Sequence, residues 1–461
     1  MRKEIPSQAD SNELTIHTSS LFDSKEKRFV SDLSISVDTS TGLITRVYKR
    51  NYPLPINCDL GPNAIDLRGL TVLPGLVDAH THIFLHSSYS GVPSINQMRD
   101  ESFVERVVRA TNHAKAALYA GYTTYRDLGT EGLRDADAPF RDTINRGIIP
   151  GPRMFVATEA IASSGGYEIR QENGLPGVGT TVPRISDPAD GVEGVRAAVR
   201  RRLGAGADII KFYADYRKRA LRFPSPTWPH GQDVSFPPPG NILIGQRNPN
   251  VLLFTQDEMN EMVAQAKREG APIAAHAQSS EGVAMAAKAG VTSVEHGYML
   301  GEEALQAMKE NNTIFVPTLS VFHTALKDDH QAMKSILDNT KTAFDSGIKL
   351  AAGGDTGAFA HGENALELEL LAKSGIPIHD VLQAATLHGW ESCGGDLCGR
   401  RFGLIAEGFA ADIIALEGDP TKDLSTLRKV KFVMKDGAVY KDDYKRASSV
   451  RSSENKLITP C

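Results

Sequence analysis

Two histidines, His80 and His82, close the apolar run Leu70-Thr-Val-Leu-Pro-Gly-Leu-Val-Asp-Ala-His-Thr-His82. In a β-strand, residues i and i+2 share a face. Both imidazoles therefore project together from the end of one buried strand. Two neutral imidazoles held that way can share one divalent cation. A bare His-x-His also arises by chance on a half-buried strand, so the rest of the chain has to decide.

Four more residues with metal-binding chemistry end short apolar runs. They are Lys211 in Asp208-Ile-Ile-Lys211, His276 in Ile273-Ala-Ala-His276, His296 in Ser293-Val-Glu-His296, and Asp355 in Ala352-Gly-Gly-Asp-Thr356. Each alone has an ordinary reading: a hydrogen-bonded histidine, or an aspartate in a turn after two glycines. Together they form a pattern only if one fold brings the run ends to one place.

The elements around them predict such a fold. Short apolar runs fall at 76–80, 123–127, 154–160, 209–213, 273–276, 293–296, 314–318 and 349–353. Segments with helical spacing separate most of them, at 103–120, 192–203, 256–269, 304–310 and 330–344. Thr255-x-x-Glu258 is a capping box that starts one of these helices. Alternating apolar strands and amphipathic helices predict an α/β protein, a (β/α)8 TIM barrel. Such a barrel keeps its reactive groups at the C-terminal ends of its strands, where all six residues fall. An open doubly wound sheet is the alternative, but no glycine-rich phosphate turn follows an early strand.

Residues 1–69 and 401–440 read differently, as short alternating strands with turns such as Asp38-Thr-Ser-Thr-Gly42 and Lys435-Asp-Gly437. They predict a small β-sandwich built from both chain ends, flanking a barrel over 70–400. Residues 441–461, rich in Ser, Lys, Arg and Asp, read as a polar tail. One connection is unusually long. Residues 214–254 include Phe223-Pro-Ser-Pro-Thr-Trp-Pro-His230 and Phe236-Pro-Pro-Pro-Gly240. Barrel connections are usually far shorter. A long loop leaving a strand's C-terminal end lies over the active face, as a specificity loop or as a plain surface insertion.

Composition sets the remaining bounds. The chain has 461 residues, 41% hydrophobic and 23% charged, with a net charge of −5, the profile of a soluble globular protein. With no long basic run, a nucleic-acid partner is not expected. No apolar run nears the ~18 residues that span a bilayer, so no membrane partner is expected either. The four cysteines, Cys58, Cys393, Cys398 and Cys461, are too scattered for a disulfide framework. Cys393-x4-Cys398 as a zinc or redox pair has no second pair to complete it. The start Met1-Arg-Lys-Glu-Ile-Pro6 carries no apolar signal core. A cytoplasmic enzyme acting on a small-molecule substrate is the expectation, assembled as a homo-oligomer as such barrels often are.

Lys211 stands apart. A lysine in an apolar strand that points into a barrel is costly unless paired or modified. Carbamylation by CO2 would turn its amine into a carboxylate able to bridge two cations. A buried ion pair with Asp355 is the other reading.

The ordered set His80-x-His82, Lys211, His276, His296, Asp355 resembles the amidohydrolase superfamily. The closer resemblance is to the imidazolonepropionase-like branch, with its Xaa-Pro dipeptidases, zinc carboxypeptidases acting on N-acyl amino acids, and ochratoxin amidases. Supporting stretches are Gly121-Tyr-Thr-Thr-Tyr-Arg-Asp127, Val294-Glu-His-Gly297 and Gly408-Phe-Ala-Ala-Asp-Ile-Ile414. The resemblance spans roughly residues 10–440. It implies two Zn2+ ions bridged by carbamylated Lys211, other divalent metals being compatible with the same ligands. His80, His82 and Asp355 would hold one ion, His276 and His296 the other. It also implies a hydrolase in which a metal-activated hydroxide attacks an amide, with Asp355 as general base and then proton donor to the leaving nitrogen.

The pocket is less defined. Many relatives carry Gly-Gly-His after the third strand, whereas this chain reads Ser164-Gly-Gly-Tyr167. The Tyr167 phenol can donate the same hydrogen bond to a substrate carbonyl. Tyr213, Tyr216 and Arg217 after the fourth strand, Gln278 after the fifth and His361 after the eighth are the other substrate-binding candidates. Arg217 suits a bidentate clamp on a carboxylate, or is one solvated arginine among Lys218, Arg219 and Arg222. His86 and His323 read as ordinary polar residues. The expected activity is cleavage of a C–N bond in an N-acyl amino acid, dipeptide or related molecule. Cyclic-amide or lactone hydrolysis, or metal-dependent decarboxylation, is open on the same site. A non-catalytic barrel is disfavoured because all six ligand positions are filled.

Overall fold

The computed structural model describes residues 12–52, 54, 60–166, 183–217 and 250–444. Most of the long 214–254 connection and most of the polar tail therefore lie outside the described residues, as does Tyr167.

The chain folds as a (β/α)8 barrel beside a smaller β-structure. Strands Leu76–Thr81, Tyr122–Asp127, Arg153–Val156, Ile210–Tyr213, Ile273–Ala277, Ser293–His296 and Ile314–Val316 follow one another round the ring. Adjacent strands pair in parallel. Between the third and fourth, the backbone N–H groups of Asp208 and Ile209 donate to Val156 O at 2.8 and 3.2 Å. A short strand Ala160–Ala162 extends the third and pairs with the fourth through Ile161 and Phe212.

The eighth position is irregular. The run expected as a strand at 349–353 forms only isolated bridges, Leu350 to Phe315 and Thr356 to Thr81. It still closes the ring: Phe315 N–H donates to Lys349 O at 2.8 Å and Ala79 N–H donates to Ala352 O at 2.9 Å. A Cβ on Gly353 would lie 2.7 Å from His80 N and 2.8 Å from Val316 Cγ1. The close approach that glycine permits here is followed at Asp355 by a left-handed φ of 60°, which ends any regular ladder.

Helices Phe103–Tyr119, Asp137–Asn145, Gly191–Gly204, Gln256–Arg268, Ser280–Ala289, Glu302–Glu310, His330–Asp345 and Ala365–Lys373 are the longer of those around the ring. Gln256–Arg268 shows why: Thr255 and Glu258 form the expected capping box, and Met259, Met262, Val263 and Ala266 bury one stripe. No described helix is long and apolar enough to cross a membrane.

The smaller part has two sheets. One orders Leu43–Lys49, Leu33–Asp38, Glu13–His17 and Ala64–Asp66; the other orders Ala438–Asp442, Val430–Lys435, Ile413–Leu416, Thr71–Pro74, Ser20–Asp23 and Arg28–Ser31. Ile16, Ile35 and Val37 of the first meet Val72, Ile413, Phe432 and Met434 of the second in one apolar core. Thr71–Pro74, paired to Ile413–Leu416, runs through Gly75 straight into the first barrel strand. Arg153 of the third barrel strand also reaches across, 2.7 Å from Asp412 and 2.6 Å from Asp436.

Candidate metal centre

The C-terminal ends of the barrel strands open into a cavity of about 1080 Å³. His80, His82, Lys211, His276, His296 and Asp355 all line it. Ligand atoms of His80, His82 and Asp355 lie within 4.8 Å of one another. His82 Nε2 is 3.2 Å and His80 Nε2 3.7 Å from Asp355 Oδ1. The ring centroids of His80 and His296 are 5.0 Å apart, those of His276 and His296 4.4 Å. Backbone register explains the convergence: Tyr213 pairs with His276, and Ala277 with His296, so neighbouring strands end level.

The outer nitrogens of three imidazoles are committed. His82 Nδ1 is 2.8 Å from Gly129 O, which only accepts, so Nδ1 carries the hydrogen of that bond. His80 Nδ1 donates to Glu295 Oε2 at 2.9 Å. His296 Nδ1 is 2.9 Å from the Thr318 hydroxyl. Such partners orient an imidazole so that Nε2 is the free ligand atom. His296, Thr318 and Asp355 all take left-handed φ, of 76°, 52° and 60°. Strain of that kind in non-glycine residues persists where the surroundings over-determine it, as at functional sites.

Electrostatics separate the two neighbouring histidines. Burial first, and the Lys211 charge next, draw the His80 imidazole down to about 4. Burial also opposes the charged form of His82, but the Asp355 carboxylate overrides it and raises that imidazole to about 10. Asp355 is held far below the usual carboxylate range by His80 and His82, against its burial. Burial draws the Lys211 ammonium down to about 8.

Do these residues fit a metal? Among the described residues, Lys211 Nζ and His276 Nε2 are buried without a hydrogen-bond partner. Both line the cavity with His80, His82 and Asp355, and an unprotonated Nε2 on His276 is a free ligand atom. The donor set of imidazole nitrogens and carboxylate oxygen suits zinc and its neighbours. The set fits.

The substrate-binding candidates divide. Tyr213, Tyr216 and Gln278 line the cavity. The Tyr213 and Tyr216 rings stand 5.0 and 4.9 Å from that of His276. His361 does not reach it: its Nε2 bonds Leu85 O at 3.0 Å and its ring stacks on His113 at 4.4 Å, which ties it into the wall behind. Tyr167 and the side chain of Arg217 lie outside the described residues, so only the backbone pairing of Arg217 with Asn250 is on view. His86 is 2.6 Å from Glu101 and His323 is exposed, both ordinary polar roles.

Sequence reasoning passed over several residues. Glu295 is fully buried, and its second oxygen accepts from Arg126 Nη2 at 2.8 Å and the Ser293 hydroxyl at 2.5 Å. Arg126 and His80 hold its carboxyl far below the ordinary range, against burial. Asp78 accepts from the backbone of His80 and Gly354, both at 3.1 Å, and from Thr356 and Asn364 side chains. It ties the first strand to the turn bearing Asp355. Both are acids inside apolar strands, and the expense of burying a charge was the available signal. Glu131, at the cavity edge, lies 3.8 Å from His82 Nδ1. The far wall is apolar: Val321, Phe322 and Leu326 with Tyr298, the Phe322 ring edge-on to His296 at 6.3 Å.

Comparison with known proteins places the chain. The sequence profile described as the Amidohydrolase family matches residues 71–440. An ochratoxinase of Aspergillus niger is 29% identical over 398 residues, 80% of this chain and 75% of that one. An imidazolonepropionase of Paracoccus denitrificans is 25% identical over 279 residues, 59% of this chain and 62% of that one. Among solved structures, a Xaa-Pro dipeptidase with methionine bound in its active site superposes with a TM-score of 0.73 at 30% identity, covering 93% of this chain and all of that one. The A. niger ochratoxinase structure gives 0.73 at 25% identity, covering 93% and 96%.

Proposed function

The chain belongs to the amidohydrolase family, and from that premise we propose that this enzyme hydrolyses the C–N bond of an amide in an N-acyl amino acid, dipeptide or related small molecule, with two divalent cations, zinc foremost, at the site. Its membership makes it a hydrolase of the amidase or peptidase type; the substrate, the second cation and the residue roles are the proposal. The observation that carries it is the pair of orphaned buried nitrogens, Lys211 Nζ and His276 Nε2, facing the His80, His82 and Asp355 cluster.

His80, His82 and Asp355 would hold one ion, His276 and His296 the other, with Lys211 between them. When bound, such ions acidify water and polarise a carbonyl. Lys211 would bridge as a carbamate: Nζ adds to the carbon of CO2 and loses one proton. The neutral amine this requires is roughly a tenth of the population at pH 7 for a group drawn down to about 8, far more than for an ordinary lysine. Asp355 takes the proton of the attacking water on its carboxylate and returns it to the leaving nitrogen. Tyr213, Tyr216 and Gln278, which line the cavity, would flank the scissile bond, with the apolar wall at Phe322 opposite. Similarity to an ochratoxinase and a Xaa-Pro dipeptidase supports amide chemistry. Free thiols at Cys393 and Cys398 support a reducing, cytoplasmic setting, and a homo-oligomer completes the reading.

The test is metal content per chain, measured with and without bicarbonate, beside a Lys211→Ala variant and a panel of N-acyl amino acids. About two metals per chain, falling in the variant, are expected. About one metal, insensitive to Lys211, would replace this reading with a mononuclear one.

A further inference from the structure

Resting on that hydrolase reading, we propose that the paired side-chain amides of Asn250 and Gln278 read a second, uncharged amide in the substrate. The substrate class is then an N-acyl amino acid amide or a blocked peptide, rather than a molecule that presents a free carboxylate at this place.

Asn250 Nδ2 donates to Gln278 Oε1 at 2.8 Å, and both residues line the cavity. Gln278 follows His276 by two residues at the end of the fifth strand, so the pair sits directly beside the metal cluster. Their mutual bond uses one donor and one acceptor. Gln278 Nε2 and Asn250 Oδ1 are left, and no described residue engages either. If both amides were turned over, the pair would still offer one NH2 and one carbonyl oxygen. A carboxamide or peptide group carries one donor and one acceptor and satisfies both. A carboxylate carries acceptors alone and would leave an oxygen facing an oxygen.

The pair is pre-organised. The buried Asp215 carboxylate accepts from the backbone of Gln278 at 2.9 Å and of Ser279 at 2.8 Å. Asn250 is held by its antiparallel pairing with Arg217, and Leu253 N–H donates to Ala214 O at 2.9 Å. Two anchored backbones thus present one fixed donor and one fixed acceptor.

The experiment compares N-acyl amino acids with their C-terminal carboxamides on the full-length, metal-loaded enzyme, with leucine, phenylalanine and proline side chains. The wild type should favour the carboxamide by about tenfold or more in kcat/KM, the scale of one unmatched buried polar group. Gln278→Leu should draw that ratio towards unity. Gln278→Lys supplies a cation and should swing it to the free acid; a melting temperature and metal content equal to wild type show that each variant compared is folded. A wild type that prefers the free acid, or a ratio that neither substitution moves, overturns this inference and leaves amide hydrolysis standing. Hydrolysis of no member of any pair overturns both.

Discussion

The Glu295 carboxylate lies 2.9 Å from His80 Nδ1 and is itself anchored by the buried Arg126 guanidinium at 2.8 Å. Three strands contribute to this chain of contacts: His80 is on the first, Arg126 on the second and Glu295 on the sixth. It fixes which nitrogen of His80 faces the cavity before any ion arrives.

Glu295→Gln should therefore weaken metal retention, by about ten- to a hundredfold, as loss of an outer partner of a ligating histidine does. Competition with a chelator measures it. Metal affinity equal to wild type would mean that His80 needs no such support.

Asp355→Asn keeps an oxygen at the same place but cannot take a proton. Turnover should fall by about a thousandfold or more while metal is largely retained. Parallel rate and metal assays separate the two effects, and a near-normal rate would remove Asp355 from proton transfer.

Stripping the metal exposes the His82 and Asp355 pair. His82 rises to about 10 in the folded protein from an ordinary 6.5. A raised histidine contributes stability that is fully present below its unfolded value and lost as pH climbs through its folded one. The metal-free protein should thus lose melting temperature between about pH 6.5 and pH 10. Metal-free Asp355→Asn should lack that decline. Melting curves in chelator across this range decide it.

Glu367 makes a second test of the same sign, away from the cluster. Its buried carboxylate accepts from Leu319 N at 3.0 Å, Ser320 N at 2.7 Å and the Ser320 hydroxyl at 2.8 Å. It thereby seats the short helix Leu319–Ala325 that carries Phe322. Burial pushes its carboxyl up to about 8. An acid raised on folding favours the folded state below its unfolded value and loses that advantage as pH rises through about 8. Glu367→Gln should flatten the loss of melting temperature between about pH 5 and pH 8. An unchanged slope would mean the carboxyl stays ionised throughout.

Much of this site was legible because barrel strands speak in period two and end at one face. His80, His82, Lys211, His276, His296 and Asp355 were each read at a strand's end, and all six line one cavity. The strands at 273–277 and 293–296 matched their apolar runs closely. The eighth did not become a regular strand, because Gly353 lets the backbone press against His80 and Asp355 then turns left-handed. Glu295 was hidden for another reason. Which buried carboxylate meets which imidazole depends on contacts across the ring, and no local spacing encodes those. His361 shows the same limit from the other side. A histidine soon after a strand can turn back into the wall, and here Leu85 O and His113 hold it there.

The irregular stretch that closes the ring carries a further consequence. It joins first strand to last, so His80 and Asp355 meet only when segments most of the chain apart have come together. Closure over such sequence distances is slow and entropically unfavourable. The strand Thr71–Pro74, which leads into the first barrel strand, pairs with Ile413–Leu416 from well beyond the eighth position. The small sheet thus acts as a clasp across both ends of the barrel sequence. Cutting away the C-terminal strands would strip Thr71–Pro74 of its partner and loosen the chain just before His80 and His82.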